Sequence, residues 1–486
     1  MEKKINKGTL GLLLNRFFSS SSNFLNDCFT HNRIKSLYTS DIESILKSNL
    51  SFYENNLPLF YQWLSGFIDG EGSFQINPLK NKNGAITKFS FMFIINLHID
   101  DLDVLKNISK LLGIGVVTTD TKSDRNLCTL RVNKQSELLK LIRIIIENPL
   151  KGVKFLDFSD FVKAYYLYFN RDNVAITPEI IGELLKIKKG MNKQRTSFFK
   201  PIVTTEGVFS TQELWFSSKI QITDHWLLGL IEGEGSFHLV RSRLIPGFTI
   251  KMVSDQEPLI VAIKEYLVYR LGFDKYSLFK LEGSQLISVN YAKSVSANSK
   301  PQVFIGIENN RILYNYLLPY LKGLPFLTKK FKDYNDFTLI CHTIYYKIQK
   351  NSTFKDLILK LSNSMNNFRL SSYKDKTCSI TQEEIGMLLS ADPITKPLMD
   401  GRLLNLVTNK FESGLGGSVF EIEVNNEASK GKLETILVNS LEECASVTGI
   451  SRNILNSRFS VIVDSISVSE IEIGNYKIKR IGVFLG

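Results

Sequence analysis

The sequence predicts an α+β protein in which one unit of helices and antiparallel strands occurs twice, followed by a smaller C-terminal α+β extension. Three sequence blocks recur in the same order at comparable spacing. Within each copy, helical periodicity gives way to alternating apolar and polar residues, which is typical of a sheet with one buried face. The 486 residues exceed what one hydrophobic core usually holds, so two or three domains are expected.

Composition excludes several classes of protein. Hydrophobic residues make up 43% and charged residues 22% of the chain, which is typical of a folded globular protein rather than a disordered one. No apolar run approaches the ~18 residues of a membrane span, so no membrane association is expected. The five cysteines are scattered without paired spacing, which argues against a disulfide framework and a zinc site.

The positive charge is unevenly distributed. The chain has 60 Lys and Arg against 48 Asp and Glu, a net charge of +12. From Asp375 to Gly486 there are 11 basic and 15 acidic residues, a net charge of −4, so the preceding 374 residues carry +16. A polyanion partner is therefore expected to bind the larger, basic part.

The first 55 residues differ from the rest. Glu2 is the only acid before Asp27, while four Lys or Arg precede a Phe-Phe-Ser-Ser-Ser-Ser run at 17–22. This composition is typical of an organelle transit peptide, which would direct the protein to a mitochondrion or a chloroplast. The alternative is a flexible leader, or upstream coding sequence fused to the functional part.

The duplication covers residues 56 to 372. The first block reads WLSGFIDGEGSF at 63–74 and WLLGLIEGEGSF at 226–237. The second block begins with a proline at 149 and 325, and the third reads GMNKQR at 190–195 and SMNNFR at 364–369. The predicted segments are a leader at 1–55, a first domain at 56–200, a linker at 201–218, a second domain at 219–372 and a C-terminal extension at 373–486.

Each copy is predicted to follow the order α-β-β-α-β-β-α. The leading helix ends at the acids of the first block, and two strands follow in which Phe74 and Ile76 face the core. The other first-copy elements are a helix at 103–112 that stops at Gly113, strands at 115–119 and 127–132, and a helix at 136–146. The second-copy elements after the leading helix are strands at 237–243, 248–253, 277–281 and 286–291, and a helix at 259–271.

The first block is predicted to bring two acids together. Small residues at helical spacing, Gly66 and Gly229 among them, would let the two motif helices pack closely, so Glu71 and Glu234 would lie side by side. Two close carboxylates repel each other, and a hard divalent cation with oxygen ligands relieves this repulsion. A single DGEG sequence is more often a capped turn with solvated acids, but the in-register duplication favours the paired arrangement.

Both blocks resemble the LAGLIDADG motif, and residues 56–372 resemble a single-chain, two-motif LAGLIDADG homing endonuclease of the kind that organellar introns encode. The resemblance implies a monomer of two pseudo-symmetric αββαββα halves. Their motif helices form the interface, and their saddle-shaped antiparallel sheets straddle double-stranded DNA. It also implies that Glu71 and Glu234 are the catalytic, metal-binding carboxylates and that the carbonyls of Gly70 and Gly233 complete a Mg²⁺ site.

The resemblance also places a basic residue near each active site. It maps to Lys154 and Lys330, each five residues after the proline of its block, where it would orient water or offset phosphate charge; solvated surface lysines are the alternative. Asp69 and Glu232, at the sixth motif position, are expected to be structural. The implied reaction is hydrolysis of one phosphodiester on each strand by a metal-activated water.

DNA recognition is expected on the polar sheet faces, because strands in the major groove let Gln and Asn read adenine and Lys or Arg read guanine. A solvated sheet face is the alternative. The two halves differ at most of these positions, so a non-palindromic target is expected. The candidate DNA-binding residues are Ser73, Gln75, Asn77, Lys88 and Ser90 in the first copy and Ser236, His238, Ser242, Thr249 and Lys251 in the second.

The C-terminal extension contains a pattern typical of a helix-turn-helix at 440–459. A helix capped by Ser440, a turn at Gly449 and a second helix capped by Ser451 are predicted. The pattern resembles the small modular DNA-binding repeat appended to homing endonucleases, and a plain helical hairpin is the alternative. Its DNA-facing candidates are Arg452, Asn453, Asn456 and Arg458.

Three functions are compatible with these motifs. The first is a site-specific DNA endonuclease whose metal-dependent double-strand breaks mobilise its own intron. The second is an RNA maturase that binds its host intron and assists splicing, or a protein with both activities. The third is a DNA-binding repressor. Intact acids in both motifs favour cleavage, because the other two functions do not require them.

Overall fold

The structure is a computed structural model that describes residues 41–120, 126–171, 175–192, 195, 198–199, 201–211, 220–271, 287–294, 299–373, 380–397, 402–411, 418–424, 434–438, 440–463 and 466–483. This part of the chain forms two similar α+β halves, followed by a smaller α+β unit. No helix in it is long and apolar enough to cross a membrane.

Helix α1 (Ile42–Asn55) lies within the segment that the sequence assigned to a leader. Its Tyr53 is fully buried, and the phenol oxygen lies 3.0 Å from Nδ1 of His225. Asn49 Nδ2 donates a hydrogen bond to the carbonyl of Phe326 at 2.9 Å. Residues 42–55 are therefore part of the folded unit, which corrects the prediction of a flexible or removable segment there. Residues 1–40 lie outside the described residues.

Removal of α1 is expected to destabilise the protein. A chain that begins at Asp41 keeps the helix, whereas one that begins at Asn56 loses Tyr53 and its buried contacts. Since loss of a buried aromatic side chain costs about 3–5 kcal/mol, the shorter chain should unfold at a temperature lower by at least ~5 °C. Differential scanning calorimetry of the two chains measures this, and equal unfolding temperatures would contradict the assignment.

The first half consists of a motif helix, a four-stranded antiparallel sheet and helices that cover one face of the sheet. Its elements are α2 (Leu57–Glu71), β1 (Gly72–Lys80), β2 (Ile86–His98), α3 (Leu102–Leu112), β3 (Val116–Asp120), β4 (Leu127–Val132), α4 (Gln135–Glu147), α5 (Lys154–Phe169) and α6 (Pro178–Lys189). The sheet order is β1-β2-β4-β3. The predicted α-β-β-α-β-β-α order is confirmed by α2 to α4.

The second half repeats this architecture after a short hairpin of β5 (Ile202–Val203) and β6 (Val208–Phe209). Its elements are α7 (Asp224–Glu234), β7 (Gly235–Val240), β8 (Ile245–Val253), α8 (Glu257–Arg270), β9 (Ser288–Ala292), β10 (Gln302–Ile307), α9 (Asn310–Ile312), a π-helical turn (Leu313–Leu317), α10 (Leu318–Lys322), α11 (Lys330–Tyr345) and α12 (Ser352–Ser362). The sheet order is β7-β8-β10-β9.

The prediction missed one strand of the second half. The predicted strand at 286–291 overlaps β9, and β10, the next strand among the described residues, was not predicted. The predicted strand at 277–281 lies outside the described residues. Local alternation does not reveal which strand occupies the centre of a sheet; the pairing of β10 with β8 does.

One face of each sheet packs on the helix that begins within the second repeated block. In the first half, the Phe74 ring lies 5.5 Å from Phe158 and 5.4 Å from Phe161 of α5, between ring centroids. In the second half, Phe237 lies 5.2 Å from Phe337 of α11. The helices therefore cover the apolar faces and leave the polar faces of both sheets open.

A helix and a small sheet connect the second half to a C-terminal unit with its own hydrophobic core. The connecting elements are α13 (Gln382–Ser390), β11 (Thr395–Pro397), β12 (Leu403–Asn405) and β13 (Lys410–Phe411). The unit contains β14 (Ser418–Val424), β15 (Glu434–Val438), α14 (Leu441–Thr448), α15 (Arg452–Phe459), β16 (Ile462–Val463), β17 (Ile466–Ser467), β18 (Glu470–Ile473) and β19 (Tyr476–Val483). The predicted helical pair is present, with Gly449 in the left-handed conformation at φ 70° between its helices.

Candidate active site at the interface of the motif helices

The motif helices α2 and α7 cross at two glycines. A Cβ atom at Gly66 would lie 1.8 Å from the carbonyl oxygen of Trp226. One at Gly229 would lie 2.0 Å from the carbonyl oxygen of Trp63. Both distances are far shorter than van der Waals contact, so only glycine permits this approach of the two backbones. The predicted close packing of the motif helices is confirmed.

Asp69, the sixth residue of the first motif, links three parts of the protein. Its carboxylate accepts hydrogen bonds from the backbone N–H of Lys151 at 2.7 Å and of Gly152 at 3.1 Å, just before α5. It also accepts one from Nε1 of Trp226, on the opposite motif helix, at 3.1 Å. Burial raises the pKa of Asp69, and these donors oppose the rise. Its contacts are those of a structural residue.

Glu232 makes the equivalent contacts in the second copy. It accepts hydrogen bonds from the backbone N–H of Leu327 at 3.0 Å and of Thr328 at 2.5 Å, just before α11. Nε1 of Trp63 on α2 donates to it at 3.0 Å. Burial raises the pKa of Glu232 to about 7. Each sixth-position acid therefore joins the helix start of its own copy to the tryptophan of the other copy.

Glu71 and Glu234 lie together at the C-terminal ends of the motif helices. The Glu71 Cγ would lie 3.4 Å from a Cβ at Gly233, and the Glu234 Cγ would lie 3.3 Å from one at Gly70. Each side chain thus packs on the glycine of the opposite motif. Burial, and then the charge of Glu234, raises the pKa of Glu71 to about 7, and burial raises the pKa of Glu234.

Lys154, the first residue of α5, reaches into this acidic cluster. Its Nζ donates to the carbonyl oxygens of Ile68 at 2.9 Å and of Gly70 at 2.8 Å. Burial lowers the pKa of the Lys154 ammonium, and the charge of Asp69 opposes this most strongly among the neighbouring acids. The predicted position near the site is therefore found, and the alternative of a solvated surface lysine is excluded for Lys154.

Lys330 occupies the equivalent position at the start of α11. Its side chain is only 18% exposed, and its Nζ lies 3.7 Å from Oδ2 of Asp333. The charge of Lys330, like that of Lys154, lowers the pKa of both Glu71 and Glu234. The structure thus brings all four predicted catalytic side chains to one place between the two copies.

The residues present fit a hard divalent cation. Carboxylate and carbonyl oxygens are ligands that Mg²⁺ prefers, and such a cation would offset the charge of Glu234, which after burial is the next largest cause of the raised pKa of Glu71. No group of three or more His, Cys, Asp or Glu among the described residues is placed to hold a metal. Water and substrate phosphate would therefore complete the ligand shell. The Gly70 carbonyl, predicted as a ligand, accepts a hydrogen bond from Lys154 at 2.8 Å.

A family model described as LAGLIDADG endonuclease matches residues 64–165 and 227–341, which lie within the two copies. Over these two stretches the chain is similar to the LAGLIDADG endonuclease family. It is 30% identical to the probable intron-encoded endonuclease Cox1-I1b of Schizosaccharomyces pombe over 50% of this chain and 57% of the relative. It is 26% identical to the uncharacterized mitochondrial protein RF1 of Saccharomyces cerevisiae over 79% of this chain and 76% of the relative.

Solved structures show the same fold over the two halves. The LAGLIDADG homing endonuclease I-GzeII, crystallised in complex with its DNA target, superposes with a TM-score of 0.50 at 18% identity and covers 64% of this chain and 99% of its own. The I-LtrWI LAGLIDADG homing endonuclease, bound to target DNA, gives 0.50 at 20% identity and covers 64% and 99%. The chain spans 57% of the length of the S. pombe relative.

The third repeated block makes hydrogen bonds to α5 and α11, the helices that carry Lys154 and Lys330 and are called the lysine helices below. In the first copy, Arg195 Nη2 donates to Asp157 at 2.7 Å and to Asp160 at 2.6 Å, and the N–H of Asn192 donates to Asp157 at 2.8 Å. Asp157 lies one turn after Lys154, so these hydrogen bonds fix the face of α5 that carries the lysine. The equivalent residues of the second copy are Arg369, Asp333, Asp336 and Asn366.

The candidate DNA-binding residues lie on the open face of each sheet, with one exception. Directly paired residues share a face. The pairs on the open face of the first half are Ser73–Ile94, Gln75–Met92, Asn77–Ser90 and Leu79–Lys88; those of the second are Ser236–Thr249, His238–Gly247 and Lys251–Phe304. Ser242 is the exception, because it lies in the turn between β7 and β8 and not in a strand. Its prediction extended β7 too far.

The outer strands add residues to the open face that the sequence analysis missed. Arg131 of β4 pairs with Ile94, and the Thr129 hydroxyl donates to Asn96 Oδ1 at 2.7 Å. In the second half, Asn290 of β9 pairs with Phe304. Alternation in these strands was visible in the sequence, but only the strand order shows that they continue the same surface.

The carboxylate pair predicts a pH-dependent stability that a Glu71→Gln substitution removes. A folded-state pKa of about 7, above the unfolded value, means that stability is lost as pH rises from about 4.5 to 7. In EDTA at pH 8, Glu71→Gln should therefore be more stable than the wild type, by at most about 3 kcal/mol. At pH 5 the gain should be below about 1 kcal/mol.

Urea denaturation at the two pH values measures this gain in the free energy of unfolding. Glu147→Gln, at an exposed position of α4, is the matched control and should show no gain at either pH. A gain for Glu71→Gln that is equal at pH 5 and pH 8 would contradict the assigned coupling.

Proposed function

We propose that this protein is a site-specific DNA endonuclease that makes metal-dependent double-strand breaks at a long, non-palindromic target and so promotes the mobility of its intron. The observation that carries the proposal is the partly buried Glu71–Glu234 pair at the ends of two packed helices, flanked by Lys154 and Lys330. The names of the curated relatives, which include a probable intron-encoded endonuclease, support it. So do the DNA complexes of the structurally similar proteins.

In this proposal, Glu71 and Glu234 would hold Mg²⁺ between the two halves. A bound Mg²⁺ would lower the pKa of a ligated water and offset charge on the phosphate oxygens. Lys154 and Lys330 lie on either side and would bind the scissile phosphates or orient the attacking water. The packed motif helices exclude bulk water from one side of the site, which strengthens the charge interactions there. Each copy supplies one carboxylate and one lysine, so a monomer would cut both strands.

The open sheet faces would bind the target on both sides of this centre. The net charge of +16 before residue 375 would attract the DNA backbone, with an affinity that falls as salt rises. Equivalent positions differ between the halves, since Gln75 corresponds to His238 and Asn77 to Val240. Different side chains read different bases, and a non-palindromic target follows.

The C-terminal unit would add a further DNA contact. Arg452, Asn453, Asn456 and Arg458 are exposed on α15, whereas Leu455 and Phe459 are buried beneath it. The unit also contacts the connecting segment, because the buried Arg402 donates hydrogen bonds to the carbonyls of Phe459 and Val468. We retain the predicted division of the chain, with α1 added to the folded part, and the mitochondrion as its location, in line with the mitochondrial relative RF1.

The decisive experiment is incubation of the purified protein with a library of intronless gene junctions, with Mg²⁺ or with EDTA. Double-strand cleavage of one junction in Mg²⁺ alone is the expected result. Absence of cleavage together with binding of the host intron RNA and faster splicing would instead establish the maturase. Sequence-specific DNA binding without either activity would establish a repressor.

A further inference from the structure

The helices that carry Lys154 and Lys330 begin without a side-chain cap of their own. The first backbone N–H groups of a helix have no partner within it and must bind other groups when they are buried. Before α5, the N–H groups of Lys151 and Gly152 bind Asp69 of the same copy. The next one, Val153, donates instead to Oε1 of Gln256 at 2.9 Å.

Gln256 belongs to the other copy. It ends the short 3-10 turn Ser254–Gln256 that follows β8, and it is only 7% exposed. A Cβ at Gly152 would lie 3.0 Å from Oε1 of Gln256 and 3.0 Å from Oδ1 of Asp69. The glycine thus leaves room for both acceptors at the start of α5, one from each copy.

The second copy receives the reciprocal contact from Asp101. This residue ends the 3-10 turn Ile99–Asp101 after β2, as Gln256 does after β8. Nζ of Lys329 donates to the carbonyl of Asp100 in this turn. Burial raises the pKa of Asp101, and the charge and the backbone N–H of Lys329 oppose the rise. Lys329 precedes Lys330 as Val153 precedes Lys154. In each copy, the turn after the second strand therefore contacts the start of the helix that carries the other copy's lysine.

We propose that Gln256 and Asp101 are positioning residues that act across the interface, Gln256 on Lys154 and Asp101 on Lys330. The lysine that serves one DNA strand is then placed by the copy that carries the other lysine. The inference rests on the proposed endonuclease function. A buried backbone N–H that loses its acceptor is left without a hydrogen bond, which costs free energy, so the helix start shifts when the acceptor is removed. Misplacement of a reacting group by about 1 Å costs a factor of about 10² in rate.

Strand-specific cleavage kinetics test the proposal. The substrate is the junction that the wild type cleaves, with a different fluorophore on each strand. On this substrate, Lys154→Ala and Lys330→Ala first identify the strand whose cleavage each lysine supports. Gln256→Ala should slow the Lys154 strand about 10- to 100-fold and leave the other near the wild-type rate, so that nicked DNA accumulates. Asp101→Ala should slow the Lys330 strand. The matched control is Asp255→Ala, whose partly exposed side chain pairs with Lys300; it should cut both strands at the wild-type rate.

Hydrogen exchange measured by mass spectrometry tests the same contacts without DNA. Gln256→Ala should accelerate amide exchange in a peptide covering 151–156 and leave 327–332 unchanged, and Asp101→Ala should do the reverse. Equal slowing of both strands, or exchange that changes in both segments or in neither, overturns the proposal. A wild type that cuts neither strand of any junction refutes the endonuclease function instead, and the exchange pattern still decides whether each copy holds the other's lysine helix.

Discussion

Glu71→Gln and Glu234→Gln are each expected to abolish double-strand cleavage while DNA binding is retained. Glutamine keeps the shape of the side chain and removes the negative charge that a divalent cation needs. Since metal-ion catalysis supplies several kcal/mol of transition-state stabilisation, the cleavage rate should fall at least about 10³-fold. The substitution lies at the ends of the motif helices, away from the open sheet faces, so affinity for the target should change little.

Gel-shift titration in Ca²⁺ and cleavage assays in Mg²⁺ separate the two effects. Glu147→Gln removes one negative charge at an exposed position and should cut at the wild-type rate. If both motif variants cut as fast as the wild type, the assigned site is wrong. If they fail to bind DNA, the carboxylates act in folding or recognition rather than in catalysis.

Gly66→Ala and Gly229→Ala are expected to disrupt the packing of the two halves. A methyl group at Gly66 would meet the carbonyl oxygen of Trp226 at 1.8 Å, and backbone atoms cannot rotate away as a side chain can. The helices would have to separate, which would also break the Trp226–Asp69 hydrogen bond. Each substitution should therefore cost at least about 3 kcal/mol in the free energy of unfolding.

Gly182→Ala is the matched control for this prediction. Gly182 lies within α6, and a Cβ there would meet no atom within 4 Å. Because alanine favours the helix over glycine, this variant should be more stable by up to about 1 kcal/mol. Urea denaturation followed by circular dichroism measures all three variants. If Gly66→Ala unfolded at the wild-type urea concentration, the close crossing of α2 and α7 would be incorrect.

Much of the fold could be predicted because its signals are local. Alternation in 72–77 and 127–132 predicted strands that the structure contains, and Gly113, with φ 62°, ends α3 as expected. Where the prediction was wrong, the missing information was spatial. The central strand β10 was overlooked, and Ser242 was placed on a strand although it lies in a turn.

The site could be predicted only as far as the duplication reached. In-register repetition identified Glu71 and Glu234 as a pair, and the family resemblance added Lys154 and Lys330. The third repeated block was recognised without a role, because the Asp157 that its Arg195 binds lies 38 residues earlier in the chain. Its role follows only from the packing of that segment on α5.

The sequence by itself determined that two copies of one unit meet at small residues and bring two acids together, because periodicity and repetition can be read from the order of residues along the chain. Only the tertiary structure decided which hydrogen-bond partners each copy supplies to the other. The Trp226–Asp69 bond joins residues 157 apart, and the Val153–Gln256 bond joins residues 103 apart. Such partners depend on how the helices and turns pack, and no local pattern specifies them. The inclusion of α1, through Tyr53 and His225, was decided in the same way.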